Sequence, residues 1–124
     1  MIRKTALVLA LAAVVGPAAA ALASGTHTVA APAAQRTGML KAFGDPAKAD
    51  SCLSTRLAAS NHSYGTIRPS TSKRCQKYAF DGVNVLQRTS GAHWKVRFEG
   101  SSYKCPLKRI PTAVQSDLGV CPEG

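Results

Sequence analysis

The fold of this chain is decided by residues 78–100, YAFDGVNVLQRTSGAHWKVRFEG. Apolar residues recur at every second position on both sides of Asp81-Gly82, and Asp-Gly is a strong signal for a two-residue hairpin turn. A second turn signal follows at residues 89–92, TSGA. Two turns joined by alternating strands predict a three-stranded antiparallel meander over about residues 75–99.

The two turns also predict which side chains share a face of this meander. Phe80 lies opposite Val83 across the first turn, and Gln87 lies opposite Trp94 in the second hairpin. Because side chains alternate between the two faces along a strand, one face becomes apolar and has to be buried. Its predicted members are Tyr78, Phe80, Val83, Val85, Trp94, Val96 and Phe98.

The segment after the meander has the residues of a short helix. Pro111 suits the first helical turn, and Gly119 suits the position just past a helix end. Ile110, Val114 and Leu118 are spaced by four, which gives an amphipathic helix over about residues 111–118. We therefore predict an α+β fold: a small antiparallel sheet, made of the meander and one or two further strands, with this helix docked on one face.

The region before the meander leaves two alternatives open. Asp45-Pro46 has the residues of a helix start. Residues 53–60, in contrast, alternate in polarity as a strand does, and we favour the strand. A second short strand is expected over residues 64–68, ending at Pro69.

Residues 1–23 have the layout of a secretory signal peptide. Arg3 and Lys4 precede an uninterrupted apolar run over residues 6–15, and small residues lead to a cleavage site after Ala23. A membrane anchor is the alternative, but a span needs about 20 strongly apolar residues, and this run has about half that. We expect a secreted, extracellular chain with no transmembrane segment after cleavage.

The remaining chain divides into two predicted parts. Residues 24–50 are expected to form a flexible leader, because residues 24–34 are rich in Ala, Thr and Pro and lack a period. Within it, Met39, Leu40 and Phe43 leave open one helical turn or an edge strand. Residues 51–124 are expected to form a single disulfide-linked domain, because small secreted domains need such links for stability.

The four cysteines predict two disulfides, since an even count in a short secreted chain indicates a disulfide framework. A zinc site is not expected, because its ligands come in pairs two to four residues apart and these cysteines form no close pair. Three pairings are open. We favour Cys52–Cys75 with Cys105–Cys121, because each bond then links near neighbours in sequence.

The charge of the chain points to an anionic partner. Loss of the signal peptide takes the 16 basic residues to 14, and against 6 acidic residues the formal charge falls from +10 to +8. Such a surface favours extracellular polyanions or acidic proteins, with nucleic acid a less expected partner. A solvated basic surface with no dedicated partner is the alternative.

The predicted register gathers the cations of the meander on the face opposite the apolar one. Three further cations, Lys104, Lys108 and Arg109, extend this surface beyond the last strand. A face with many positive groups is a candidate contact surface for an anion. The binding residues predicted on this basis are Lys77, Arg88, Lys95 and Arg97.

Several sequence elements resemble those of one group of proteins: residues 81–88 (DGVNVLQR), 93–96 (HWKV), 98–106 (FEGSSYKCP), 110–111 (IP) and 117–122 (DLGVCP). Over roughly residues 52–122 the chain resembles small secreted proteins of actinobacteria. The group has no assigned activity. The resemblance therefore implies a fold unit and a compartment but no functional residues.

No catalytic group of residues emerges from the sequence. His93 and Glu99 lie six positions apart on one predicted strand, about 20 Å from each other, so they do not flank a single phosphate. Neither a nucleophile elbow nor a phosphate-binding glycine loop is present. We therefore predict no catalytic residue, no cofactor and no metal, and favour a non-enzymatic binding module.

Two other functions remain as alternatives. The loop Lys104–Ile110, which begins next to a cysteine, suits a protease-inhibitor-like protein-binding domain, because small disulfide-linked secreted domains often present rigid loops. A small secreted hydrolase is the third hypothesis, with His93 as its first candidate residue.

Overall fold

The computed structural model describes residues 26–44 and 51–121. Within them one antiparallel sheet has its strands side by side in sequence order, flanked by two helices. The α+β class is confirmed, as are the strand after residue 52 and the C-terminal helix. The elements are β1 (Thr28–Ala30), α1 (Ala33–Phe43), β2 (Leu53–Ala58), β3 (Asn61–Pro69), a 3₁₀ helix (Lys73–Tyr78), β4 (Val83–Ser90), β5 (His93–Gly100) and α2 (Thr112–Leu118).

The sheet lies between the two helices, and each of its faces has its own hydrophobic cluster. We call them the α1 face and the α2 face after the helix that covers each. The buried cluster of the α1 face consists of Met39, Leu40, Leu53, Leu57, Ile67, Leu86 and Trp94. The buried cluster of the α2 face consists of Ala58, Tyr64, Val85, Ile110, Val114, Leu118 and Val120.

Part of the segment expected to be a flexible leader is structured. Residues 28–30 form β1 and residues 33–43 form α1. Met39 of α1 is fully buried, and a Cβ atom added to Gly38 would come within 1.9 Å of the Ala92 carbonyl oxygen. The prediction was wrong here because α1 has no apolar period of its own and is ordered by packing against the sheet. The predicted signal peptide, residues 1–23, lies outside the described residues.

Helix α2 begins and ends at the residues that its sequence indicated. Pro111 is its N-terminal cap, and Gly119 is its C-terminal cap with a left-handed φ of 72°. The Arg68 guanidinium of β3 donates a hydrogen bond to the carbonyl oxygen of Leu118. A cation at this end of a helix is favourable, because the helix C-terminus has a partial negative charge.

The first strand of the predicted meander is absent. Residues 73–78 form a 3₁₀ helix instead, and the neighbour of β4 is β3. Cys75 within this helix is bonded to Cys52 beside the start of β2, which holds the segment at that end of the sheet. Gly82 does have a left-handed φ of 90°, but it leads into β4 beside Gly100 rather than into a hairpin turn.

The β4–β5 hairpin is confirmed, but its register differs from the predicted one. Gln87 lies opposite Lys95, not Trp94, and Trp94 lies opposite Arg88. Thr89 is an extra residue on β4 between two paired positions, so it lengthens the turn. A one-residue slip exchanges the faces of every side chain that follows, which is why the predicted apolar face is divided.

A second irregularity of β5 lies at Arg97. Val96 pairs with Leu86 and Phe98 pairs with Val85, so Arg97 is the extra residue of a β-bulge. The bulge breaks the alternation of faces. Val96 therefore packs on the α1 face, whereas Phe98 packs on the α2 face.

A buried side chain replaces part of the backbone ladder between β3 and β4. Asn84 is 2% exposed. Its amide accepts a hydrogen bond from the Ile67 N–H and donates one to the Ile67 carbonyl, both at 2.8 Å. Thr66 donates to the Asn84 carbonyl oxygen, also at 2.8 Å. These bonds satisfy buried polar groups of β3 where the backbone ladder to β4 is interrupted.

Both predicted disulfides are confirmed. Cys52 is bonded to Cys75, and Cys105 is bonded to Cys121, and the described residues include no free cysteine. This pattern is compatible with an extracellular location, since disulfides persist in oxidising compartments. Among the described residues, no helix is long and apolar enough to cross a membrane.

Candidate anion-binding site

The four predicted binding residues do not form one basic face. Lys77 lies on the 3₁₀ helix, where its Nζ atom is 5.4 Å from the ring centre of Tyr78. Arg88 shares the α1 face with Trp94, its partner across the hairpin. Lys95 pairs with Gln87 on the α2 face, where Arg97 also lies. The predicted cluster of four is therefore wrong, and only its last two members remain together.

Arg97 belongs to a different group of cations, around a cavity of about 350 Å³. We call it the basic cavity. It is formed where the end of β5 meets the loop that leads to α2. Its lining residues are Arg97, Phe98, Lys104, Pro106, Leu107, Lys108 and Ile110.

The β-bulge determines where the Arg97 side chain lies. Because Arg97 and Phe98 are not separated by the usual alternation, a cation and an aromatic ring line the same cavity. The Arg97 Nη1 atom donates a hydrogen bond to Oε1 of Gln87 on β4, at 2.5 Å. This bond fixes one edge of the guanidinium and leaves its other N–H groups for a ligand.

The two lysines of the cavity lie on a loop whose backbone is hydrogen-bonded to the side chain of Gln115 on α2. This side chain is fully buried. Its Oε1 atom accepts from the Leu107 N–H at 2.8 Å, and its Nε2 atom donates to the carbonyls of Leu107 and Ile110, at 2.9 and 2.7 Å. The Cys105–Cys121 bond ties the start of the loop to the chain after α2. The loop backbone that positions Lys104 and Lys108 is thus braced on both sides.

The apolar wall of the basic cavity is also fixed. The rings of Phe98 and Tyr103 meet edge to face, with 5.2 Å between their centres. The Tyr103 hydroxyl donates to the Val120 carbonyl oxygen at 2.7 Å. Edge-to-face packing and a satisfied hydroxyl both favour one position of the rings.

The charges around the cavity are unbalanced. Of the described residues that line it, the three charged ones are all cations. The described residues include 13 of the 16 lysines and arginines but 3 of the 6 acidic residues, namely Asp81, Glu99 and Asp117. A concave surface lined by one sign of charge raises the local concentration of the opposite ion. The cavity therefore suits an anionic group attached to an apolar body.

The residues considered for acid–base chemistry are not brought together. His93 and Glu99 are both exposed, near opposite ends of β5. Within the described part of the chain, no three His, Cys, Asp or Glu side chains are grouped as metal ligands would be.

The cations of this site were predicted from the sequence, whereas the residues that position them were not. Lys104 and Lys108 were expected to extend the basic surface, and the structure places both beside Arg97. The roles of Phe98 and Gln115 were missed. Gln115 follows Val114 directly and lies three positions before Leu118, both of which belong to the apolar stripe of α2. A polar side chain at such a position is the sequence signal for a buried amide with hydrogen-bond partners.

Comparison of the chain with protein-family models, curated proteins and solved structures finds no match in any of the three.

Proposed function

We propose that this chain is a secreted, non-enzymatic binding module for an anionic partner outside the cell, and that the basic cavity is its contact site. The observation that supports this most directly is the convergence of three cations from two different segments on one apolar-walled cavity. The resemblance to secreted actinobacterial proteins agrees with the location but names no partner.

The arrangement favours a chain of acidic groups over an isolated small ion. Lys104 and Lys108, which line the cavity, are exposed, and Lys95 is exposed on the same face two positions before Arg97. A partner that places one acidic group in the cavity therefore has further cations, such as Lys95, within reach of its neighbouring acidic groups. Extracellular polyanions and acidic protein segments both have this chemistry.

Retention on an immobilised polyanion across a salt series tests the proposal. Reversal of one cavity charge, Arg97→Glu, is compared with Arg88→Glu, which changes the net charge equally on the other face of the sheet. We expect Arg97→Glu to elute at clearly lower salt than Arg88→Glu, since contacts to a polyanion set the salt dependence of binding. Equal elution of the two variants would show that net charge alone determines retention, and it would reject the basic cavity as the contact site.

A second candidate function is inhibition of an extracellular serine protease. The observation that favours it is the braced loop: Lys108 and Arg109 are exposed at its tip, while Ile110 is 7% exposed and anchors its end. Proteases with an acidic specificity pocket recognise Lys or Arg at such a position. A panel of serine proteases is assayed with the protein at micromolar concentration, with Lys108→Ala and Arg109→Ala as controls. Lack of inhibition across the panel would reject this function.

A further inference from the structure

A second cavity lined by cations lies on the α2 face, and one of its residues, Arg68, donates to the Leu118 carbonyl oxygen at the end of α2. We call it the two-arginine cavity. It has a volume of about 160 Å³ and lies where β1, β2 and β3 meet the α2 face. Its lining residues are Thr26, Thr28, Arg56, Thr66 and Arg68.

The two arginines approach each other because of the strand register. Arg56 pairs with Thr66, and Arg68 follows Thr66 by two positions on the same face. Diagonal neighbours of this kind are about 7–8 Å apart at the backbone, within reach of two long side chains. Both arginines are half-buried.

Within the described part of the chain, the two guanidinium groups donate to hydroxyl and carbonyl oxygens of Thr28 and Leu118. Arg56 donates from Nε to the Thr28 hydroxyl and from Nη2 to the Thr28 carbonyl oxygen, both at 3.0 Å. Arg68 donates from Nη2 to the Leu118 carbonyl oxygen. Each guanidinium has five N–H donors and these bonds use one or two of them, so the others can donate to a ligand.

Among the described residues that line this cavity there is no acidic side chain. The acidic residue of α2, Asp117, accepts a hydrogen bond from the Ser60 N–H at 2.7 Å and does not line the cavity. Two half-buried like charges repel and lose hydration, so their proximity is unfavourable without a counter-charge. A bound anion supplies that charge.

We propose that the two-arginine cavity binds one tetrahedral oxyanion, a phosphate or sulfate group, between Arg56 and Arg68. Planar guanidinium groups match the geometry of such oxygens with paired hydrogen bonds. The Thr28 hydroxyl accepts from Arg56 and keeps its own proton for a ligand oxygen. The volume is sufficient for a single oxyanion group. The described lining residues of the two cavities do not overlap, so this site is separate from the basic cavity and independent of the proposed function.

Titration of the purified chain, followed by amide NMR shifts, tests this site. The probes are inorganic phosphate, sulfate and glycerol phosphate, with sodium chloride at matched ionic strength. We expect saturable shifts centred on residues 26–28, 56 and 66–68, with a dissociation constant of about 1 mM or tighter for phosphate or sulfate. Comparable binding of glycerol phosphate indicates the phosphate end of a larger molecule, and its failure indicates the free ion.

Three variants separate the site from general basicity. Arg56→Lys and Arg68→Lys keep the charge but lose the paired geometry, and each is expected to weaken phosphate binding about tenfold or more. Arg88→Gln removes a cation from the other face and is expected to leave binding unchanged. The proposal is overturned if no saturable shift occurs, if shifts spread over the surface lysines, or if Arg88→Gln weakens binding as much as Arg56→Lys does.

Discussion

The two faces of the sheet differ in what covers them. Helix α1 has 11 residues, and the cluster beneath it takes apolar side chains from each of β2, β3, β4 and β5. Helix α2 has 7 residues and is about 10 Å long, which is too short to cover a face of five strands at about 4.8 Å spacing. Both basic cavities lie on the α2 face: one is lined by the loop that leads to α2, and the other contains Arg68, which donates to the Leu118 carbonyl oxygen at the end of that helix.

Buried polar groups, in contrast, are shared between the two faces. Thr66 lies on the α2 face and Gln115 belongs to α2, whereas the alternation of the strands places Thr55 and Asn84 on the α1 face. Asn84 forms its hydrogen bonds to Ile67 between β3 and β4. What distinguishes the α2 face is therefore its two cavities lined by several cations, not its buried polar groups.

The largest expected effect separates stability from binding. Met39→Ala removes a fully buried side chain from the centre of the α1 face. We expect the free energy of unfolding to fall by about 2–5 kcal/mol, the usual cost of such a cavity. Chemical denaturation measures this loss. Retention of the folded variant on a polyanion is expected to stay unchanged, and a parallel loss of retention would contradict the division between the faces.

The next effect concerns the hydrogen bonds that Asn84 forms with Ile67 between β3 and β4. Asn84→Leu keeps the side-chain volume but leaves the N–H and carbonyl of Ile67 without their partners. Since each buried unsatisfied group costs about 1–3 kcal/mol, we expect the free energy of unfolding to fall by about 2 kcal/mol or more.

Thr66→Val is the matched control for that substitution. It removes the hydroxyl that bonds to Asn84 and keeps the shape, so a loss of about 1 kcal/mol is expected. If Asn84→Leu destabilises no more than Thr66→Val, the two hydrogen bonds from Asn84 to Ile67 contribute no more to stability than the single bond of the Thr66 hydroxyl.

The elements that the sequence predicted correctly are those with strong local signals. Pro111 and Gly119 delimit α2, and proximity in sequence indicated the disulfide pairing. Helix α1 was missed because Met39 and Leu40 are adjacent and form no stripe. Its burial depends on contacts with residues more than ten positions away, which local pattern analysis does not include.

The candidate site was harder to predict, because it depends on single-residue irregularities. Thr89 and Arg97 are extra residues in the β4–β5 hairpin, and each reverses the faces of the side chains beyond it. Alternation alone grouped Lys95 and Arg97 correctly but added Arg88, which lies on the other face. Nothing local to residues 104–110 showed that a glutamine on α2 would brace the loop.

The loss of global stability is expected to be smaller for that glutamine, because two of its three hydrogen bonds are only partly buried and water can replace them, whereas the local effect is larger. Gln115→Leu removes three hydrogen bonds to the loop backbone. We expect hydrogen exchange of the Leu107 amide to quicken about tenfold or more, because its acceptor is lost and local opening costs less. Unchanged exchange at Leu107, in a variant that still folds, would show that the disulfide alone holds the loop. Retention on a polyanion is expected to weaken as the lysines lose their fixed positions.

The smallest effects are expected from the two cations that the structure removes from the predicted basic face. Lys77 is exposed over the Tyr78 ring, a contact worth about 0.5–1 kcal/mol at such a site. Arg88 donates to the Gly91 carbonyl oxygen within its own turn, at 3.3 Å. The double variant Lys77→Gln/Arg88→Gln is therefore expected to lose about 1 kcal/mol or less of stability, measured by chemical denaturation.

A second double variant of equal charge tests whether the basic cavity or total charge governs retention on a polyanion. Lys104→Gln/Lys108→Gln removes the same net charge, but from the basic cavity. If retention depends on total charge alone, the two double variants elute together. If it depends on the cavity, the Lys77→Gln/Arg88→Gln protein elutes close to the unmodified chain while the other elutes earlier, because exposed charges distant from a contact are screened within about 10 Å at moderate salt. The difference between two proteins of equal charge thus isolates what the α2 face contributes to recognition.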